Sequence, residues 1–378
     1  MRILIAIGVP RQKEAGAAGV ALNHARELEK LGHSVECWFL DDVFKKPVKL
    51  KRFEAFAFSL AIAKRIRINP DKFDVANIHA PWGCVYGLQR KMFFSDRTPP
   101  YVLTMQGSEE RFVEAMRREN QKGNATNFGW KNRLWHRIYH QTMYDIAIRT
   151  ADYGAVANRE AWILAELKYR RKSGEFWYVP NGTEESFFCD RQYPEKLSMK
   201  LLYVGTWIDR KGVSYLADAF RLVCEKNPNV ELTVAGCSVS QEKVRNSFSP
   251  AIREKIAVIP FVDRREMPAI YASHDVFVFS SLVEGMPLTL LEAMASGMPV
   301  VTTNNSGMAD IVEDEFNGLL VESANAQELA KAIEVLLDSS DLRKQVGHAA
   351  QSTAKRYTWK EVVRKMDKVL LLPFANKN

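Results

Sequence analysis

Short apolar runs alternate with helical patterns along almost the whole chain, and this alternation limits the fold more than any other feature. Residues 3–7, 35–40, 75–78, 101–104 and 153–157 read as strands buried on both faces. Helical spacing lies between them, over residues 20–31 with Gly32 as a stop, and again over residues 53–67. A turn-forming cluster, Val179-Pro180-Asn181-Gly182, interrupts the series. The alternation then restarts, with strands at residues 201–204, 230–235, 256–259, 276–279, 300–302 and 318–321. Helices follow at residues 327–337, 342–356 and 359–372. Continuous apolar strands separated by helices imply parallel sheets covered on both faces. At 378 residues the chain exceeds one ordinary core. The expected fold class is therefore α/β, with two Rossmann-like domains whose parallel sheets face an interdomain cleft. The expected boundaries are 1–180 and 181–357, with a C-terminal helix within 358–378 packing back on the first domain.

Composition narrows the partners. No apolar run reaches the roughly 18 residues of a membrane span. The opening M-R-I-L-I-A-I-G is strand-like and too short for a signal peptide. Cys37, Cys84, Cys189, Cys224 and Cys237 are odd in number and form no C-x-x-C pair, which suits reduced thiols in the cytoplasm. The net charge of +8 is uneven. Residues 1–189 hold 30 Lys and Arg against 21 Asp and Glu, whereas residues 190–378 hold 23 against 24. The first half thus faces an anionic surface or substrate. No zinc-finger spacing, RNP-type sequence or KH loop supports nucleic acid as that partner.

Ligands of open parallel sheets bind beyond the carboxyl ends of the strands. Two such positions carry chemistry. After residues 201–204 come Gly205, Thr206 and then Trp207-Ile208-Asp209-Arg210-Lys211-Gly212, where two adjacent cations at a βα turn suit a diphosphate. After residues 276–279 comes E-G-M-P-L-T-L-L-E, from Glu284 to Glu292. Pro287 suits the first turn of a helix. Glu284 then precedes the helix and Glu292 lies inside it, with carboxylates about 8 Å apart. The helix N-terminus between them favours an anion or a hydroxyl-rich ligand. That arrangement suits a sugar at one carboxylate, a ribose at the other and a diphosphate between. The plain alternative is an exposed helix with two solvated glutamates.

Taken together, these motifs resemble the retaining glycosyltransferases of family 4, which have the GT-B fold. The resemblance covers nearly the whole chain. It is carried by the E-x7-E pair Glu284 and Glu292 within S-S-L-V-E-G-M-P-L-T-L-L-E-A-M-A-S-G-M-P-V, by Y-V-G-T-W-I-D-R-K-G-V, by V-P-N-G-T, by A-D-Y-G-A-V-A-N and by L-G-H-S-V-E. It implies that Glu284 binds donor-sugar hydroxyls, that the amides of Gly285 and Met286 hold the hexose, that the following Pro287 and Leu288 also belong to the donor site, and that Glu292 binds ribose hydroxyls. Arg210 and Lys211 would neutralise the leaving diphosphate beside Thr206. Phe261 and Val262 would border the nucleobase, although the family often has Gly at the second position. Gly16 matches the N-domain glycine loop, where Ala15-Gly16 keeps one of two usual glycines. His79 matches a histidine facing the donor sugar, and His33 a structural one. On the acceptor side Gln106 stands where the family commonly has histidine, and an amide cannot act as a base.

The implied activity is retaining transfer of a hexose from a nucleotide sugar, UDP-glucose favoured, to a glycan or lipid-linked acceptor in polysaccharide or glycolipid assembly. No cofactor is expected. The chain has no D-x-D pair and no metal-ligand spacing, so no metal is expected either. GDP-mannose is the alternative donor. A sugar-nucleotide epimerase of the same fold would lack E-x7-E. A non-catalytic basic module binding membrane or nucleic acid would leave the glutamate pair unexplained. Basic and aromatic residues interleave through residues 45–67 (Lys45, Lys46, Lys49, Lys51, Arg52 and Phe53 among them) and 111–140 (Arg111, Phe128, Trp130 and Trp135 among them). Such stretches suit the headgroup layer of an anionic membrane, which places the chain at the inner face of the plasma membrane; two ordinary amphipathic helices are the alternative.

Overall fold

A computed structural model describes residues 1–11, 16–46, 48, 50–94, 97–123, 129–195 and 199–375. Ala15, Lys49 and Phe128 lie outside the described residues. The chain divides into two compact units. The first comprises residues 1–113, 129–182 and 359–378; the second comprises residues 114–128 and 183–358. Residues 114–128, expected within the first domain, thus group with the second unit. Glu119 and Lys122 are tied to that unit: the buried Glu119 accepts from the Tyr215 hydroxyl at 2.8 Å, and Lys122 pairs with Glu119 at 3.3 Å.

The first unit is built on a six-stranded sheet: β1 (Arg2–Ala6), β2 (Ser34–Trp38), β3 (Val75–His79), β4 (Tyr101–Met105), β5 (Tyr153–Val156) and β6 (Phe176–Tyr178). Their spatial order is β2-β1-β3-β4-β5-β6, and all neighbours pair in parallel. Strands β3 and β4 are buried along their whole length, which suits their largely apolar sequences, and the buried Asn77 of β3 donates to Thr104 Oγ1 of β4 at 2.8 Å. The short edge strand β6 was not among the expected strands. Its three residues after Gly174 are too few to show a period, and only pairing with β5 defines them. The helix Trp359–Ala375 belongs to this unit and buries Trp359, Val362, Val363, Met366, Val369 and Leu370. His33 fastens it, with Nε2 2.9 Å from Asp367 Oδ1.

In the second unit the strands are β7 (Lys200–Val204), β8 (Glu231–Ala235), β9 (Ile256–Ile259), β10 (Val276–Phe279), β11 (Val300–Thr303) and β12 (Leu319–Val321). Their order is β12-β11-β10-β7-β8-β9, again parallel throughout. The chain winds outward one way from β7 and the other way from β10. The crevice between these two strands' carboxyl ends is the topological switch point, where a doubly wound sheet receives its ligand. Arg210 and Lys211 follow β7 and Glu284 follows β10, so the sheet order itself brings them side by side.

Candidate functional site

The loop after β7 ends in a 3₁₀ turn, Asp209–Lys211, closed by Gly212 with φ +64°. A Cβ on Gly212 would sit 2.0 Å from the Ser280 carbonyl oxygen, so both the backbone angle and the close approach require glycine. That approach zips the β7 and β10 loops together. Leu282 N donates to Arg210 O at 2.9 Å, and Ser280 Oγ donates to Lys211 O at 3.0 Å.

Side chains converge at the same place. Lys211 Nζ lies 2.8 Å from Glu284 Oε1, and Arg210 Nη1 lies 3.2 Å from the same oxygen. The Ser281 hydroxyl donates to it at 2.7 Å. Arg210 also donates to Val283 O at 3.2 Å, and the Lys211 ammonium sits 4.9 Å from the centre of the Phe279 ring. Glu284 and Lys211 are nearly enclosed, with side-chain exposures of 10% and 13%. Burial alone would raise the Glu284 carboxyl. Lys211 and Arg210, together with hydrogen bonds from Lys211 and Ser281, outweigh burial and hold it below the ordinary carboxylate range. Burial pushes the Lys211 ammonium down, against the pull of Glu284, and the neighbouring Arg210 cation adds to the lowering. Two cations therefore share one carboxylate, leaving an excess positive charge that an anion would complete.

Glu292 forms a separate cluster. The helix Leu288–Ala295 starts one residue after Pro287, which is its extended N-cap (φ −75°, ψ 116°) and not part of its first turn as the sequence suggested. Glu292 lies in this helix at 1% exposure. Arg264, in the loop after β9, pairs with Glu292 Oε1, and the Tyr271 hydroxyl donates to Oε2 at 2.9 Å. Arg264 also reaches Glu184 Oε1 at 3.3 Å and stacks 4.7 Å from the Phe187 ring centre. Sequence reading did not find Arg264, Tyr271 or Glu184. The one available pointer was Glu292 itself, since a carboxylate inside the apolar run L-L-E-A-M-A needs a buried counter-ion.

The remaining candidates of this unit are spread around the sheet's carboxyl edge. Thr206 is exposed after β7, and its carbonyl accepts from Tyr203 at 3.2 Å. After β9, Phe261 is 79% exposed and Val262 is half-buried. Gly285 and Leu288 are half-buried, whereas Met286 and Pro287 are buried.

In the first unit, Gly16 is exposed at the head of the helix Gly16–Lys30 with φ +51°. Gln106 is half-buried just beyond β4. His79 ends β3 at 1% exposure, with His24 of the helix Gly16–Lys30 buried as well. Neither ring nitrogen of either histidine has a hydrogen-bond partner among the described residues. Burial pushes His24 down to about 4; burial, with a smaller contribution from His24, pushes His79 down to about 3. Both rings are therefore neutral at physiological pH. His24 lies edge-on to Trp359, ring centres 5.6 Å apart.

Comparisons with known proteins bear on the fold and the family. Residues 191–353 match the family model described as Glycosyl transferases group 1. An uncharacterised glycosyltransferase of Methanocaldococcus jannaschii is 28% identical over 85% of this chain and 82% of its own length. The capsular polysaccharide biosynthesis glycosyltransferase CapM of Staphylococcus aureus is 30% identical over 44% of this chain and 46% of its own. The chain spans about half the length of several curated relatives it matches. Among solved structures, sucrose-phosphate synthase from Thermosynechococcus elongatus superposes with a TM-score of 0.78 at 18% identity, covering 99% of both chains. Anabaena HepE in complex with UDP-glucose superposes with a TM-score of 0.69 at 16% identity, covering 98% of this chain and 99% of that one. The fold is GT-B, and residues 191–353 are similar to the family of glycosyl transferases group 1.

Proposed function

We propose that this chain is a retaining glycosyltransferase of family 4 that moves a hexose from a nucleotide sugar, UDP-glucose favoured, to a glycan or lipid-linked acceptor in polysaccharide or glycolipid assembly. The observation that carries the reading is the cluster of Arg210, Lys211 and Glu284 at the β7/β10 switch point, with two cations on one carboxylate. A nucleoside diphosphate supplies the missing negative charge. Glu284 then accepts hydrogen bonds from donor-sugar hydroxyls and Glu292 from the ribose. Phe261 and Val262 border the base. The amides of Gly285 and Met286 hold the hexose.

In the reaction the bond from the anomeric carbon to the diphosphate oxygen breaks, and the acceptor oxygen bonds the same carbon from the same face. The acceptor proton passes to the departing phosphate oxygen. Gln106 carries no base for that proton. Charge growing on the leaving group meets the preplaced Arg210 and Lys211, whose electrostatic stabilisation is worth most in an enclosed site. The mechanism uses these side chains where other transferases use a divalent metal.

The first unit's surface supports a place for this enzyme at the inner face of the membrane. Arg52 stacks 4.0 Å over Trp135, Phe53 lies 5.2 Å edge-on to Trp135, and Trp135 stacks on Tyr139 at 4.6 Å. These contacts join residues 51–68 to residues 130–140 as one surface with Phe56, Leu60, Trp130 and Ile138 exposed among cations. No helix among the described residues is long and apolar enough to cross a membrane. The acceptor reading draws on CapM, whose name assigns it to capsular polysaccharide biosynthesis. Calorimetric titration with UDP-glucose, GDP-mannose and UDP-N-acetylglucosamine tests the donor. Tightest binding of UDP-glucose supports the reading, preference for GDP-mannose reverses the donor assignment, and binding of none removes the function.

A further inference from the structure

Glu292 is almost wholly enclosed, and a buried carboxylate is tolerable only when paired and hydrogen-bonded. The pairing found here is directional. Arg264 takes Oε1 from one side and the Tyr271 hydroxyl takes Oε2, while Tyr271 itself lies 3.1 Å from the Thr289 carbonyl oxygen. Arg264 is in turn fixed at two further points, by Glu184 through Nε and Nη2 and by the Phe187 ring beneath it. Phe187 is buried and stands edge-on to Tyr271, ring centres 5.7 Å apart, so one aromatic ring braces both partners of the carboxylate.

An ionised carboxylate offers about four lone-pair positions. Arg264 takes one of these on Oε1 and the Tyr271 hydroxyl one on Oε2, so by this count two are left for a ligand. Two acceptors held on one rigid carboxylate match the two neighbouring hydroxyls of a ribose. We propose that Arg264 is a positioning residue for nucleotide selection: anchored by Glu184 and Phe187, it fixes Glu292 so that its free lone pairs read the 2′- and 3′-hydroxyls of the donor nucleotide. This rests on Glu292 being the ribose-binding residue of the function proposed above. Arginine suits the task because its planar fork can grip Glu184 and Glu292 at once, whereas lysine offers a single point charge.

The test measures the affinity for UDP relative to 2′,3′-dideoxy-UDP by calorimetry, in the full chain and in Glu292→Gln, Arg264→Gln and Arg264→Lys variants whose folding is checked by thermal melting. Wild type should favour UDP by about ten- to hundred-fold, the value of one or two hydrogen bonds to a charged group. Glu292→Gln should lower that ratio about ten-fold. Arg264→Gln should lower it as much with Glu292 intact, and Arg264→Lys should lower it about three-fold. A merely structural Arg264 would reduce melting temperature and affinity for both nucleotides alike, leaving the ratio unchanged. Loss of the ratio in Glu292→Gln but not in either Arg264 variant overturns the positioning role and keeps the ribose role. An equal affinity of wild type for both nucleotides overturns both. If Arg264→Gln does not fold, Arg264→Lys decides: an unchanged ratio there overturns the proposal.

Discussion

Lys211 and Glu284 form a nearly enclosed ion pair of 2.8 Å across the switch point of the second sheet, and Arg210 shares the same carboxylate oxygen at 3.2 Å. The excess positive charge has a consequence for pH. Lys211 titrates below the ordinary lysine range because burial outweighs its pairing and Arg210 adds to the lowering. A bound diphosphate favours the ammonium and raises that value. Affinity for UDP should therefore be flat at low pH and fall as pH rises through the free site's lowered value. Calorimetry from pH 7 to pH 10 checks this, and Lys211→Arg should remove the decline.

Alanine at Arg210 or Lys211 should slow transfer or donor hydrolysis on the order of a hundred-fold, because leaving-group charge is greatest at the transition state. The donor KM should change less. EDTA should leave the wild-type rate nearly unchanged; strong inhibition reversed by Mg²⁺ or Mn²⁺ would contradict a mechanism in which these cations do the metal's work.

Glu292→Ala should weaken UDP binding roughly ten- to hundred-fold, at about 1.5–3 kcal/mol for hydrogen bonds to a charged group. A folded variant with unchanged UDP affinity removes Glu292 from the nucleotide site.

Acid stability should follow the two buried histidines. Their folded values, about 4 for His24 and about 3 for His79, lie below the ordinary 6.5. The unfolded chain then binds more protons below that point, so stability is lost as pH falls from about 6.5 towards 3. The loss is on the order of 3 kcal/mol or more per histidine. Denaturant melts of His24→Leu should show a shallower decline between pH 7 and pH 4 than wild type. Parallel slopes would mean that the ring is solvated in the folded state.

Much of this was legible from the sequence, for definite reasons. Buried parallel strands need largely apolar runs, so eleven of the strands stand out, whereas β6 is fixed only by its pairing with β5. Arg210, Lys211 and Glu284 follow their strands directly, and sheet order brings them together. Arg264 is different. It is followed by Arg265, which is 88% exposed at its side chain and pairs with the adjacent Asp263. Nothing in D-R-R-E says which arginine turns inward; the loop after β9 and the burial of Glu292 decide that. His24 likewise reads as one more residue on a helix, and only the packing of the chain places it against Trp359.

For the membrane surface, the chain should co-sediment with phosphatidylglycerol vesicles at low salt and dissociate as salt rises. Each nearby Lys or Arg contributes about 1 kcal/mol and is screened over roughly 8 Å at physiological ionic strength. Lys51→Glu with Arg52→Glu should weaken vesicle binding and leave UDP affinity intact. Absence of vesicle binding at low salt would assign the enzyme a soluble acceptor.

Retaining hexosyl transfer from UDP-glucose is tested most directly by the stereochemistry of slow donor hydrolysis. Wild-type protein incubated with UDP-α-glucose without acceptor, and followed by proton NMR before mutarotation, should release α-glucose first. In Lys211→Ala the signal should appear on the order of a hundred times more slowly. Initial release of β-glucose, or release at the same rate in Lys211→Ala, would contradict the account.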